Sequence, residues 1–365
     1  MEYKILPWGN KEAIFEVDGN GIVSKISEWF NKIYPDGLVE GRSEYYIAVK
    51  GRKEAVFHKD GRRITEWFNK IYSDGLVRGQ SNLYIAEKDG KCAIYDIDGK
   101  QITQLFDNIE PYGLVKGQSN LYIAEKNGKK AIFDVSGNQI TKEWFDDIEP
   151  DGLVWGQSNL YIAKKDNKYA IFDKDGNQIS QWFDRIEVYG LVRGQSNLYI
   201  VAEGSKYAIF DKNGNRITEE FDDILPSGLV KGQSNLYIAR KDGKEAIFDG
   251  KGNQITQWFD KISPYGLVEG KSDYYIACNE NKCAVYYKDG RKVSKDFSSK
   301  SIKDISGIIF NAYLDMAYFD MSITFNEAIG IVEIKLNDKI AKTIEFNPIY
   351  PFKEEIIDYT KLLNI

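Results

Sequence analysis

The chain has 365 residues, enough to bury a core in one large domain or two ordinary ones. Aromatic residues make up 14%, with 24 Tyr and 19 Phe against 3 Met, which favours strands over helices. A formal net charge of −6 speaks against a nucleic-acid binder, because neutralising phosphates requires a basic patch.

The opening MEYKILPWGNKEAIF has no basic segment followed by an apolar run, and no stretch of 18 apolar residues exists. Neither a secretory signal nor a membrane span is therefore expected. The three cysteines, Cys92, Cys278 and Cys283, do not form a disulfide framework and suggest a reducing, cytoplasmic setting. Cys278 and Cys283 lack a second pair of ligands, and one His in the whole chain gives zinc little support.

Repeats organise most of the sequence. The alanine of an Ala-Ile-Phe-like phrase recurs at Ala13, Ala55, Ala93, Ala131, Ala170, Ala208, Ala246 and Ala284, at spacings of 42, 38, 38, 39, 38, 38 and 38. Extra residues around Ser24–Ser27 and one near Lys142 account for the two longer spacings. Both follow a strand phrase, where a loop absorbs them.

Each copy parses into four strand candidates, shown by Gly152–Val154, Leu160–Ala163, Tyr169–Phe172 and Gln178–Phe183. The connections are Gly156–Asn159, a polar link with Asp166 and Asn167, and the Asp175-Gly176 turn. Asp-Gly is a hairpin signal, since both positions tolerate positive φ. The middle two phrases are continuously apolar, which implies that both faces of each small sheet are covered. The fold expected is an all-β repeat protein, an eight-bladed β-propeller of four-stranded repeats, with an open superhelix of β-hairpins as the alternative.

The Gly-Leu-Val phrase occurs seven times, from Gly37 to Gly266, so the first repeat lacks one. Gly307–Phe310 is a candidate to fill that place and close the ring without a free edge. Residues 1–298 thus form the repeat domain, and 299–365 a segment that closes or caps it. In that segment Ile305–Asn326 reads as strands, Ile331–Leu336 with Lys339–Phe346 as a hairpin, and Phe352–Leu363, after Pro348 and Pro351, as a short amphipathic helix.

The run Lys168–Ile179, followed by Phe183-Asp184-Arg185-Ile186 and Gly190-Leu191, resembles the WG (KWG) repeat of bacterial proteins. The resemblance covers about residues 1–300 and rests on recurrence. The naming Trp-Gly dipeptide is replaced by Tyr169-Ala170, Lys130-Ala131 or Glu245-Ala246, as in a divergent member. The resemblance implies repeated β structure and a binding or scaffold role without enzyme chemistry.

Differences among the copies point to candidate site residues. The Phe of the Trp-Phe-Asp phrase never changes, as a buried aromatic requires. The residue before it is Trp29, Trp67, Trp144, Trp182 and Trp258, but Leu105, Glu220 and Asp296 elsewhere. A position that accepts Glu is not fully buried, so these tryptophans are candidates for partner contact or for covering a sheet edge. The Gly-Gln-Ser-Asn turn offers Gln80, Gln118, Gln157, Gln195 and Gln233, which either bond a repetitive ligand or are merely solvated.

A calcium loop over Asp173–Asp184 fails because its glycine is fourth and no Glu closes it. His58 is alone, so no nucleophile–base set can be assembled. No glycine-rich phosphate loop precedes a helix. The expectation is a cytoplasmic, non-enzymatic protein-interaction scaffold that needs no cofactor or metal. A carbohydrate-binding lectin with one shallow site per repeat is the alternative, with no nucleic acid or membrane as partner.

Overall fold

The computed structural model describes residues 2–225, 228–232, 234–263, 273–292 and 296–298, and the strands Met321–Asn326, Ile331–Leu336 and Lys339–Glu345. All regular elements among them are strands, and each of the eight Ala-marked repeats carries its own antiparallel sheet. The protein is thus the all-β repeat protein expected, and eight repeat sheets is the number an eight-bladed propeller calls for. The chain divides into two bodies, Met1–Trp182 with Val192–Gly194, and Phe183–Leu191 with Gln195–Ile365. The first holds five repeat sheets; the second holds three, together with the sheet of residues 321–345.

The fifth repeat shows the unit. A two-residue edge strand, Asp147–Ile148, pairs with Leu160–Lys165, which pairs in turn with Lys168–Asp173. The hairpin is tight because Asp166 and Asn167 both take positive φ, 51° and 61°. Asp89-Gly90, Asn127-Gly128 and Asp242-Gly243 do the same in other copies. This is the mirror-image turn whose twist matches the strands. The chain reverses at the expected Asp175-Gly176 turn as well, with a different geometry. At that later turn only Gly176 has positive φ, Gly176 N donates to Asp173 O (3.1 Å) and Asp173 N to Asn177 O (2.9 Å). That is a three-residue loop with a glycine bulge.

The Gly-Leu-Val phrase is not a strand where it is described. Gln157 N donates to Gly152 O (3.1 Å) and Gly156 N to Leu153 O (3.3 Å), so the phrase lies in a turn. Its apolar character comes from burial: Leu153 and Val154 join the core between sheets. The glycine is fixed by space, since a Cβ at Gly152 would lie 2.3 Å from the Leu160 carbonyl oxygen and 2.8 Å from Val192 Cγ1.

The expected fourth strand is also reduced. In the sixth repeat the run touches its neighbour only through single bridges, Phe210↔Arg216 and Tyr207↔Phe221. Between such bridges the chain bows around a buried hydroxyl. In the fifth repeat Ser180 Oγ accepts from Ile171 N (2.9 Å) and donates to Gln181 O (2.9 Å). Thr65, Thr103, Thr218 and Thr256 repeat this pair of bonds. Six repeat sheets are accordingly three-stranded; the first has three strands because it keeps the outer one, Val23–Lys25, without a leading edge strand, and the last has a fourth strand, Phe297–Ser298.

Continuous apolar strands are covered on both faces, as expected. Ile123 and Ile132 of the fourth repeat pack with Tyr161, Ala163, Ala170 and Phe172 of the fifth. Ile85 and Ile94 meet Tyr122, Ala124, Ala131 and Phe133 in the same way one repeat earlier. Within every hairpin but the first, where Lys4 faces Phe15, the Tyr ring stacks on its cross-strand aromatic, as Tyr161 does on Phe172 at 5.5 Å and 16°.

Cys278 and Cys283 are directly opposed across the last repeat's hairpin and form a disulfide, while Cys92 is free and buried. The three cysteines, expected to form no disulfide framework, thus include one local bridge. The two-residue turn at Glu280-Asn281 sets residues five apart face to face, so a local bridge forms without any wider framework.

The C-terminal hairpin of Ile331–Leu336 and Lys339–Glu345 is present, and Met321–Asn326 pairs beside it. Gly307–Phe310 and Phe352–Leu363 lie outside the described residues. Among the described residues no helix is long and apolar enough to cross a membrane.

Candidate partner-binding surface

Most polar residues that recur are used inside the repeat. The Asp after the invariant Phe clamps the hairpin tip: Asp146 accepts from Asp166 N (2.7 Å) and pairs with Lys129. Asp222 accepts from Asp242 N (2.7 Å) and pairs with Lys206 at 2.5 Å. In the first two repeats to carry the clamp, Asn31 and Asn69 do the same work with an amide oxygen. Lys129 and Lys206, with those backbone N–H groups, hold the Asp146 and Asp222 carboxyls below the usual range.

The Asp that opens the glycine-bulge turn is likewise occupied. Asp173 Oδ1 accepts from Asp175 N (2.9 Å) and Asn177 N (2.8 Å). Burial pushes this carboxyl up, but the bonds from Asn177 and Asp175 outweigh it and hold it low. Its lone pairs therefore serve the turn rather than an ion. His58 replaces this Asp in the second repeat, and Asp60, 2.9 Å from His58 Nδ1, takes over by accepting from Arg62 N (2.9 Å).

The candidate tryptophans are half-buried, each lying against the aromatic of its own hairpin. Ring centroids are 6.1 Å apart for Trp29–Phe15, 6.0 Å for Trp67–Phe57, 5.8 Å for Trp144–Phe133, 6.0 Å for Trp182–Phe172 and 5.9 Å for Trp258–Phe248. One face of each indole covers a sheet edge while the rest meets solvent. Leu105, in the same place, is 48% exposed, which is why Glu220 is tolerated there.

Gln80, Gln118, Gln157 and Gln195 are exposed, and Gln233 lies outside the described residues. Their backbones stack from copy to copy. A Cβ at Gly117 would stand 2.7 Å from Gln80 O, and one at Gly156 2.6 Å from Gln118 O. The Gln195 amide sits between the Tyr189 and Lys231 carbonyl oxygens, at 3.0 and 3.3 Å with its nitrogen toward them. This glutamine bonds the backbone of the stack.

The side chains that differ most between copies fall into two groups. In the first, successive repeats supply matched partners. Arg78 pairs with Asp36 (3.1 Å), Lys116 with Asp74 (3.1 Å) and Arg193 with Asp151 (2.6 Å), whereas Tyr112 meets Trp155 at 5.2 Å. Stacking accounts for this variation.

The second group forms a row across each sheet near the hairpin tip: Lys70, Glu87 and Cys92; Asn108, Glu125 and Lys130; Asp147, Lys164 and Tyr169; Asp223, Arg240 and Glu245. Where the last position of the row holds Glu it serves the fold, as when Glu54 and Glu245 accept from Ile71 N (2.7 Å) and Ile262 N (2.6 Å) of the next repeat. Sequence inspection passed over these positions because no motif marks them. Their signal is difference among copies, which becomes informative once the register shows that they are adjacent.

No family model and no curated protein matches this chain. Among solved structures it is similar to Kluyveromyces lactis Hsv2, at 12% identity over 81% of this chain and 95% of that one, with a TM-score of 0.27. A eukaryotic initiation factor matches at 10% identity over 94% and 93%, with a TM-score of 0.31. The β-propeller domain of Myceliophteria thermophila Cps50 (Swd1) matches at 10% over 67% and 93%, with a TM-score of 0.24. Scores this low add nothing to the architecture described above and bear on no function.

Proposed function

We propose that this protein is a non-enzymatic interaction scaffold, in which stacked repeats hold a partner protein against their outward side chains. One observation carries the reading. The groups that recur in most copies, Ser or Thr, the two Asp positions, Gly and the stacked aromatics, are largely bound to the repeat's own backbone or core, so the repeat presents mainly its variable side chains to a partner. The resemblance to WG repeats agrees with this role.

A lectin with one site per repeat would draw on the exposed glutamines and the open indole faces. The Gln195 amide lies against two carbonyl oxygens of the stack, which favours the scaffold. Affinity capture with the full chain from its native host, followed by reconstitution with the purified candidate, decides between them. The scaffold reading expects a defined protein that rebinds when purified. Tryptophan quenching by saccharides on a glycan panel, with no protein recovered, would replace it by the lectin.

A further inference from the structure

We infer that the seam between the fourth and fifth repeats binds a basic side chain of a partner polypeptide, through Glu110, Asp147 and Glu149 around Lys130. The inference rests on the scaffold reading and gives it a location and a partner chemistry. All of the residues concerned lie in the first body.

Three observations meet at this place. First, the positions are those at which the copies differ, and the pairing of Lys130 with Asp147 across the seam accounts for only part of the difference, leaving Glu149. Glu110 and Glu149 stand where the second and third repeats have Tyr34 and Tyr72, and Asp147 where they have Lys32 and Lys70. A cation-rich, aromatic edge has thus become an anionic one within otherwise near-identical copies.

Second, negative charge outnumbers its internal counter-ions. Lys130 lies 2.7 Å from Asp147 and 4.0 Å from Glu110, Lys164 stands opposite Asp147 in the sheet and Arg193 pairs with Asp151, three cations against the four carboxylates of Glu110, Asp147, Glu149 and Asp151. Among the described residues the Glu149 carboxylate forms no ion pair. Burial, then Asp147 and Asp151, push its acid up, against a weaker pull from Arg193 and Lys130.

Third, Asp151 is only 9% exposed and spends one oxygen on Arg193 at 2.6 Å, while its Oδ1 has no hydrogen-bond partner. A nine-tenths buried carboxylate oxygen left unpartnered is costly and rare in native structures. It lies close enough to Glu149 to raise it.

A cation at the seam would offset this excess of negative charge around Glu149. The described residues hold no group of three or more ligands arranged for a metal ion, so a spread cation fits better than a point charge. An arginine guanidinium offers five donors in a plane and engages separate carboxylates. Half of the Asp147 side chain is exposed, so the seam is open to an incoming side chain.

The test uses the full-length protein and a fluorescent tetra-arginine peptide, with tetra-glutamate as control, followed by anisotropy at low salt. Two variants carry the same change in net charge: Asp147→Asn with Glu149→Gln at the seam, and Asp98→Asn with Asp175→Asn on exposed turns. Thermal melts confirm that both fold, and Glu149→Gln alone replaces the first pair if it does not. The expected result is binding by the parent chain, weakened at least tenfold by the seam variant and less than twofold by the turn variant. Equal weakening by both would mean diffuse electrostatics, and absence of parent binding would remove the site; either overturns the inference. Capture from the native host separates the two readings. If the seam variant retains the parent's partner, the seam is wrong and the scaffold stands. If the parent captures nothing, the scaffold fails as well.

Discussion

Tyr46, Tyr84, Tyr122, Tyr161, Tyr199, Tyr237 and Tyr275 occupy one position in seven repeats, and none is more than 2% exposed. Burial pushes the ionisation of all seven far above the ordinary value of about 10. The unfolded chain loses these protons near pH 10 while the folded one keeps them. Their contribution to stability is therefore whole below about pH 10 and drains away as pH rises above it. An absorbance titration at alkaline pH should show the exposed tyrosines first and these seven only in a cooperative step that coincides with unfolding by circular dichroism. Smooth titration of all 24 tyrosines without unfolding would contradict the buried placement. At this scale the sequence was legible for the invariant Phe and for the half-exposed Trp. It was not legible for the Ser or Thr beneath each bow, because a hydroxyl's bond to an amide nine residues back leaves no trace in composition.

The sheet unit shows the same division. Continuous apolar runs and turn residues marked the two long strands and their hairpin, since those depend on neighbours in sequence. The Gly-Leu-Val phrase misled because apolar residues in a buried turn look like those of a strand. Its glycine answers to the close approach of its own repeat's Leu160 carbonyl and of Val192 in the next repeat, not to φ. Gly152→Ala places a methyl against a backbone oxygen and should cost about 3 kcal/mol or more in denaturant unfolding. Gly128→Ala, at a hairpin tip with φ of 71° and open space around it, should cost only about 1–2 kcal/mol. Equal losses would mean that the copies do not stack as closely as described.

For the whole molecule, the repeat count and the meander within each copy follow from the sequence, because each copy repeats the same local instructions. Whether eight units close depends on residues 299–365. A closed, compact chain of this length has a radius of gyration of about 21 Å, and small-angle scattering should return that value for a propeller and a clearly larger one for an open superhelix. Deleting 299–365 should abolish cooperative unfolding if those residues complete the ring; a soluble, cooperative fragment would refute closure.

By itself, then, the sequence determined the number of repeats, the strand phrases and the faces they bury, all set by contacts within some forty residues or by a period. The tertiary structure alone decided that Cys278 meets Cys283, that the Gly-Leu-Val phrase turns, and that Glu110, Lys130, Asp147 and Glu149 come together. Those outcomes depend on the register between strands and on the stacking of one copy upon the next. No single copy contains that information.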